Sequence, residues 1–136
     1  MLKKRQDYAL IKTAEIWADL SRCLRSKVGA VIAKNGRIIA TGYNGTPPGY
    51  DNKCEDCDGN TRPEVLHAEE NAIVFCARHG LSTEGCDLYT SLSPCPGCAK
   101  MIAAAGIKRV FYKRQYRDLM GIELLEKLNV EVVPML

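Results

Sequence analysis

The chain has 136 residues, of which 46% are hydrophobic and 26% charged, and its formal net charge at pH 7 is +3. This size and composition predict one globular domain over residues 1–136, without low-complexity tracts or internal repeats. No run approaches the roughly 18 apolar residues of a membrane-spanning helix, and acidic residues interrupt the basic N-terminal stretch, so we expect a cytoplasmic protein with no membrane partner.

The first half of the chain predicts one helix and a β-hairpin. Apolar residues at helical spacing indicate a helix over about residues 5–23. Two strands follow, VGAVIAK and RIIATGY, joined by Asn35-Gly36, which is a strong hairpin signal. Residues 44–63 are polar and rich in Gly and Pro, and a loop of that length is usually functional or disordered.

The second half alternates helices and strands. Helices are predicted over residues 67–79, 96–105 and 118–128, and strands over residues 87–92, 107–112 and 130–133. Such alternation favours parallel strand pairing with right-handed crossovers. The chain therefore predicts a three-layer α/β/α domain around a central five-stranded mixed sheet.

Two short motifs, HAEE at residues 67–70 and SPCPGC at residues 93–98, carry candidate metal ligands. In a reducing compartment, seven cysteines favour metal or thiolate chemistry over a disulfide framework. Cys95 and Cys98 share one face at the start of a predicted helix, where the helix dipole favours thiolate. With His67 they make three ligands, the number that catalytic zinc uses. Alone, Cys-x-x-Cys is more often a structural half-site or a redox pair.

Glu69 is the candidate carboxylate that moves protons at this metal. Residues two apart on a regular helix point about 200° apart, so Glu69 reaches the site only if His67 occupies the non-helical first position. Glu70 is the rival carboxylate, which we expect to face solvent.

Together the motifs match H-x-E…P-C-x-x-C, the pattern of zinc-dependent nucleobase deaminases. The chain resembles the cytidine deaminase superfamily, and within it the deoxycytidylate deaminases. The resemblance is carried by RSKVGAVIAKNGRIIATGYNGTPPG, HAEENAIVFCARHG and LYTSLSPCPGCAKMIAAAGIKRVFY. It implies a cytidine deaminase-like fold and zinc-dependent hydrolysis of dCMP to dUMP and ammonia, supplying dUMP for thymidylate synthesis. In that reaction, activated water attacks C4 while Glu69 protonates first N3 and then the leaving ammonia.

The resemblance also implies a substrate site. Asn44 matches the family's asparagine that hydrogen-bonds the sugar 3′-hydroxyl, although asparagine before glycine is a common turn residue. The remaining expected substrate contacts are Arg25, Ser26, Lys27, Tyr116 and Arg117 for the phosphate, and Leu92 with the backbone of Ser93 for the base.

A second, structural zinc is a further expectation from the resemblance. Its ligands would be Cys23, at the end of the first predicted helix, and Cys54 with Cys57 in the loop. No fourth ligand is evident, and the alternative interpretation is an exposed acidic turn with free thiols.

Regulation is expected from the predicted helix at residues 67–79. Ala72, Ile73 and Cys76 share its core face, while Asn71, Val74, Phe75 and Arg78 form a mixed stripe typical of a subunit interface. The resemblance implies a homohexamer in which dCTP with Mg²⁺ activates and dTTP inhibits. The residues expected at that nucleotide site are Tyr43, Asn44, Gly45, Asn71, Phe75 and Arg78.

Two other hypotheses stay open. A tRNA adenosine deaminase-like enzyme shares both motifs, but the chain has no basic C-terminal helix and no aromatic–basic strip, so no nucleic-acid partner is expected. A non-enzymatic zinc module would join Cys54 and Cys57 to Cys95 and Cys98. The 37 residues between those pairs exceed the usual spacing of roughly 15–20.

Overall fold

The computed structural model describes residues 4–136, which form one five-stranded sheet with helices on both faces. The elements in chain order are α1 (Lys4–Ala18), β1 (Gly29–Lys34), β2 (Arg37–Tyr43), α2 (Ala68–Arg78), β3 (Asp87–Leu92), α3 (Pro96–Ala104), β4 (Arg109–Arg114), α4 (Met120–Lys127) and β5 (Glu131–Pro134). Among these residues, no helix combines the length and the apolar character needed to cross a bilayer.

The sheet is mixed, with strand order β2-β1-β3-β4-β5. β1 pairs antiparallel with both β2 and β3, whereas β3, β4 and β5 run parallel. Asn35 and Gly36 have φ angles of 52° and 79°, the left-handed conformation that a tight hairpin turn requires. The predicted hairpin and the mixed five-stranded sheet are therefore both confirmed.

The two faces of the sheet are covered by different helices. Alternate residues of β1 point to opposite faces, so Ala30 and Ile32 join one apolar cluster while Val31 and Ala33 join the other. The cluster around Val31 includes residues of α1, and the cluster around Ile32 includes residues of α2, α3 and α4. This gives the predicted three layers, with the starts of α2 and α3 on the same side.

The first helix ends earlier than the sequence predicts. It stops at Ala18 rather than at residue 23. The next three amides bond carbonyls three residues back. The Ser21 hydroxyl accepts from the Cys23 amide at 3.2 Å and donates to the Asn44 carbonyl at 2.8 Å. Because such local bonds compete with helical ones, Cys23 lies in a loop and not at a helix end.

The fourth strand lies two residues later than predicted, at Arg109–Arg114. Its parallel ladder with β3 begins where Arg109 opposes Asp87, and the Arg109 guanidinium donates to both carboxylate oxygens of Asp87 at 2.8 Å. Pairing with a neighbouring strand therefore sets the strand's start. The other predicted elements agree with the structure within two residues.

Gly121, in α4, passes directly against the backbone that precedes α3. A Cβ atom at this position would clash with the Pro94 carbonyl oxygen and lie 3.0 Å from the Cys95 carbonyl carbon. Backbone atoms have little freedom to move aside, so we expect Gly121→Ala to lower the free energy of unfolding by about 1–3 kcal/mol. Urea denaturation measures this change.

Gly45→Ala is the matched control for this substitution. No atom lies within 4 Å of the Cβ position at Gly45, and that glycine does not have a positive φ. Its effect is expected to stay within about 0.5 kcal/mol. Equal unfolding midpoints for the two variants would show that the contact between α4 and the Pro94–Cys95 backbone does not require glycine at position 121.

Candidate functional site

His67 precedes the first turn of α2 and has an extended backbone, with φ −70° and ψ 159°. Its own amide donates to the Glu70 carboxylate at 2.8 Å, which is half of a capping box. The non-helical position that the sequence required for His67 is therefore present. Glu70, expected to face solvent, is instead half-buried and engaged in capping the helix.

Cys95 and Cys98 occupy the corresponding positions at the start of α3. Cys95 is the extended residue before the helix, Pro96 is the first helical residue, and Cys98 lies in the first turn. The His67 Nδ1 atom is 3.2 Å from the Cys98 Sγ atom and 3.5 Å from the Cys95 Sγ atom. Two helix starts thus converge, as predicted, on one group of three ligand atoms.

These three ligand atoms fit one zinc ion. All lie within 4.8 Å of one another. Zinc bonds of about 2.0–2.1 Å to nitrogen and 2.3 Å to sulfur, at tetrahedral angles, imply nitrogen-to-sulfur separations of roughly 3.5 Å. The observed 3.2 and 3.5 Å agree with that geometry. Two cysteine sulfurs, bound as thiolates, and one imidazole are also a donor set that zinc prefers.

The same contacts shift the pKa values of the three ligands. The pKa of Cys95 falls to about 3 because the Cys98 thiol and then the His67 ring donate to its sulfur. The pKa of Cys98 rises, chiefly because its proton is held in the bond to Cys95. The hydrogen bond with Cys95 raises the pKa of His67 to about 9. The contacts therefore stabilise the thiolate form of Cys95, the ionisation state that binds a cation.

Glu69 lies beside these ligands and is only 4% exposed. Its burial raises the pKa of the carboxyl to about 7, although the neighbouring His67 acts in the opposite direction. A carboxyl with a pKa near neutrality can both accept and release a proton at physiological pH. Burial and a raised pKa thus make the Glu69 carboxyl capable of proton transfer, whereas the Glu70 carboxylate accepts from the His67 amide.

A cavity of about 390 Å³ opens beside the three ligands and is large enough for a small molecule. His67, Glu69 and Cys95 line it together with seven of the eight residues predicted to bind substrate. Those seven are Arg25, Ser26, Asn44, Leu92, Ser93, Tyr116 and Arg117.

Lys27 is the predicted substrate residue that the structure does not place on the cavity. Its neighbours Ser26 and Val28 both line the cavity, whereas Lys27 is exposed and absent from the lining. Of the two cationic residues in the predicted Arg25–Lys27 cluster, only Arg25 therefore lines the cavity.

Asn44 holds the cavity wall through its side chain. Its Oδ1 atom accepts from the Val28 amide at 2.8 Å, and its Nδ2 atom donates to the Ser26 carbonyl at 2.8 Å. An asparagine side chain has two donors and two lone pairs, so one N–H and one lone pair remain available to a ligand. Asn44 positions the segment that carries Arg25 and Ser26.

Ser93 connects the end of β3 to the loop that carries Tyr116 and Arg117. The Ser93 hydroxyl accepts from the Tyr116 amide at 2.6 Å, and the Ser93 amide donates to the Arg114 carbonyl at 2.8 Å. Of the Ser93 backbone groups predicted to line the base pocket, the amide is therefore already bonded within the protein. Both contacts place Arg117 at the cavity next to the metal ligands.

Several lining residues were not predicted from the sequence. Glu55, Thr61 and Val65 reach the cavity from the long loop and the segment after it, and Cys23 reaches it from the loop after α1. The length and polarity of the loop did indicate a functional segment. Nothing local in its sequence indicates which of its residues fold back over the site.

The cysteines of this loop are arranged differently from the prediction. Cys23 and Cys54 are buried and joined by a disulfide, with 5.1 Å between their Cα atoms, whereas Cys57 is exposed and free. Among residues 4–136, only His67, Cys95 and Cys98 form a group of three ligand atoms within 4.8 Å. The predicted three-cysteine site is not assembled, and the second zinc stays a prediction.

The four-cysteine module is excluded by the same arrangement. Cys54 is bonded to Cys23, while Cys95 and Cys98 lie against His67. The two Cys-x-x-Cys pairs therefore belong to separate clusters. Burial on folding brought Cys23 and Cys54 within disulfide range, which sequence spacing alone did not indicate.

The outer face of α2 carries the mixed stripe that the sequence predicted. Val74 and Phe75 are 44% and 43% exposed, and Arg78 is also exposed. The centroids of the Phe75 and His79 rings are 4.3 Å apart. The Asn71 side chain donates to the Tyr43 carbonyl at 2.9 Å, which joins this stripe to the end of β2.

Comparison with known proteins gives consistent matches. Residues 4–114 match the family described as the cytidine and deoxycytidylate deaminase zinc-binding region. The deoxycytidylate deaminase of Enterobacteria phage T4 is 39% identical over 148 residues, covering 79% of this chain and 77% of that protein. The deoxycytidylate deaminase of Homo sapiens is 36% identical over 130 residues, covering 85% of this chain and 72% of that protein.

A solved structure matches over almost the whole chain. The crystal structure of dCMP deaminase from the cyanophage S-TIM5, in complex with dCMP and dUMP, superposes with a TM-score of 0.96 at 49% sequence identity. The match covers 99% of this chain and 100% of that chain.

Proposed function

We propose that this chain, which belongs to the cytidine and deoxycytidylate deaminase family, hydrolyses dCMP to dUMP and ammonia. The observation that carries the proposal is the buried Glu69 carboxyl, which lines one cavity together with the ligands His67 and Cys95 and the cations Arg25 and Arg117. The 49% identical cyanophage protein solved with dCMP and dUMP supports this choice of substrate.

His67, Cys95 and Cys98 would hold the zinc ion. When bound, zinc supplies a Lewis acid that acidifies water toward neutral pH. Glu69 accepts one proton from the water that attacks C4 and passes it to N3 of the cytosine ring. It then accepts the second proton and passes it to the departing amino group. The products are uracil, with N3 protonated and oxygen on C4, and ammonia, so all atoms are accounted for.

The remaining cavity residues orient the nucleotide. Cytosine lies toward Glu69 and Leu92, and the 5′-phosphate lies toward the guanidinium groups of Arg25 and Arg117, whose planar forks suit phosphate oxygens. The free N–H of Asn44 is available to a sugar hydroxyl.

One panel of measurements tests the proposed reaction. Ammonia release is measured with dCMP, cytidine and a tRNA anticodon stem-loop, alongside zinc content by mass spectrometry. We expect turnover of dCMP far above that of cytidine, since cytidine lacks the phosphate that the arginines meet, and at least one zinc per chain. Preferred turnover of the RNA would favour the tRNA deaminase alternative. A second zinc that disappears in Cys54→Ser/Cys57→Ser would support the structural site.

Regulation of the enzyme is part of the same proposal. We propose a cytoplasmic homohexamer that supplies dUMP for thymidylate synthesis, activated by dCTP with Mg²⁺ and inhibited by dTTP. The exposed stripe on α2 supports it, because Phe75 and Arg78 are residue types enriched at interfaces. They lie on the same helix as Asn71, which donates to the Tyr43 carbonyl. Asn44 and Gly45 complete the proposed nucleotide site.

Arg78→Glu is expected to abolish activation by dCTP while preserving zinc content and basal deamination. The charge reversal replaces a phosphate-binding guanidinium by a repelling carboxylate. Wild-type kinetics should be sigmoidal in dCMP and become hyperbolic with dCTP, and dCMP analogues should tighten dCTP binding reciprocally. Initial-rate measurements and dCTP titration check both expectations.

Arg5→Glu is the control, because Arg5 is also exposed but lies on α1, on the opposite face of the sheet. It should leave the dCTP response unchanged. Hyperbolic wild-type kinetics that neither nucleotide alters would contradict the regulatory proposal without affecting the proposed reaction.

A further inference from the structure

Glu55 lines the cavity, and two backbone amides hold its carboxylate in place. Its Oε2 atom accepts from the Leu24 amide at 3.1 Å and from the Arg25 amide at 3.2 Å. The residue itself is half-buried and lines the same cavity as Arg25 and Ser26.

The backbone around Glu55 is fixed on both sides. Cys54, immediately before it, is joined to Cys23 by the disulfide. Glu55 also forms an isolated antiparallel bridge with Thr61, across the turn of the loop. The carboxylate therefore has a defined place in the cavity wall, next to the residues that the proposed function assigns to phosphate.

Two successive backbone N–H groups that point at one anion make an anion-binding concavity. The amides of Leu24 and Arg25 form such a concavity, and the protein fills it with its own carboxylate. A phosphate group cannot use these amides while Glu55 occupies them. Arg25 and Arg117 remain as the two arginines that line the cavity.

The charges at this end match one phosphate group. A phosphate monoester carries about −1.5 to −2 charges at pH 7, which two guanidinium groups can balance. A diphosphate adds a further anionic group. That group would approach the filled concavity and the Glu55 charge, and like charges in contact at a binding site are strongly unfavourable.

We propose that Glu55 is a specificity-determining residue that restricts the substrate to a single 5′-phosphate, because its carboxylate fills the anion-binding concavity of Leu24 and Arg25. The inference rests on the proposed function, since it concerns the phosphate end of the same cavity. Glu55 discriminates by repulsion as well as by occupying the amides, which is how binding sites commonly reject close analogues.

Glu55→Gln separates the charge from the hydrogen bonds. The glutamine carbonyl oxygen can still accept from both amides, whereas the negative charge is lost. We expect the ratio of kcat/KM for dCDP to kcat/KM for dCMP to rise about tenfold, mainly through a lower KM for dCDP. A ratio within twofold of the wild-type value would overturn the proposal.

Glu55→Ala and Glu64→Gln complete the kinetic series. Glu55→Ala removes the acceptor as well as the charge, so it should also raise KM for dCMP as the Leu24–Arg25 backbone loses its support. If Glu55 only positioned that backbone, Glu55→Gln would behave like wild type and Glu55→Ala alone would differ. Glu64→Gln, at an exposed carboxylate that does not line the cavity, should leave the ratio unchanged.

A binding measurement keeps this inference separate from the proposed reaction. Calorimetric titration with dUMP and dUDP reports phosphate selectivity without any deamination step. Glu55→Gln should narrow the wild-type preference for dUMP over dUDP by about tenfold. Wild-type protein that binds both nucleotides but does not deaminate dCMP would refute the reaction alone. An unchanged preference in Glu55→Gln would refute the role of Glu55 alone.

Discussion

Glu69→Gln is expected to lower kcat for dCMP by about 10²–10⁴-fold, the usual contribution of a positioned general acid–base group. Glutamine preserves the shape of the buried side chain but can neither take up a proton nor release it. Because the proposed reaction passes two protons through this carboxyl, KM should change much less than kcat. Steady-state ammonia release, with zinc content and thermal unfolding measured on the same samples, tests the expectation.

Glu70→Gln provides the matched control, since the two carboxyls are adjacent in the chain and only Glu69 lines the cavity. Glutamine at position 70 can still accept from the His67 amide, so the helix cap is retained. The variant should therefore keep near wild-type turnover. Substantial activity in Glu69→Gln, with zinc bound and the fold intact, would disprove the proton-transfer role of Glu69.

Cys98→Ala is expected to reduce the zinc bound at the catalytic site to near zero and to abolish deamination. Two ligands remain, fewer than the three protein ligands that catalytic zinc sites use. Because metal binding stabilises the folded state by mass action, the Tm of purified Cys98→Ala should also fall and lose its dependence on added zinc. Metal analysis and calorimetry with and without zinc measure both effects.

Cys86→Ala is the control for removing a buried cysteine. Cys86 is as inaccessible as Cys98 but lies outside the ligand group, so its variant should keep zinc and activity. Treating wild-type protein with a chelator should reproduce the Cys98→Ala phenotype, and added zinc should reverse it. Full activity after complete removal of zinc would contradict a metal-dependent reaction.

The sequence determined the features that depend on residues close together in the chain. Asn35-Gly36 specified the hairpin, because its φ angles suit so few residues. The spacing of Cys95 and Cys98 at a helix start identified candidate metal ligands. The position of Glu69, two residues after His67, identified a candidate proton carrier. Each of these patterns depends only on the backbone geometry of a few neighbouring residues, and the structure shows that geometry at the hairpin turn and at the starts of α2 and α3.

Tertiary structure decided the contacts between residues far apart in the chain. His67 and Cys98 are 31 residues apart and meet because α2 and α3 start at the same side of the sheet. The disulfide of Cys23 with Cys54, the exposure of Lys27 and the capture of the Leu24 and Arg25 amides by Glu55 depend on how the long loop folds back over the start of β1. That packing follows from burial and hydrogen bonding across the whole domain, which no local sequence pattern specifies.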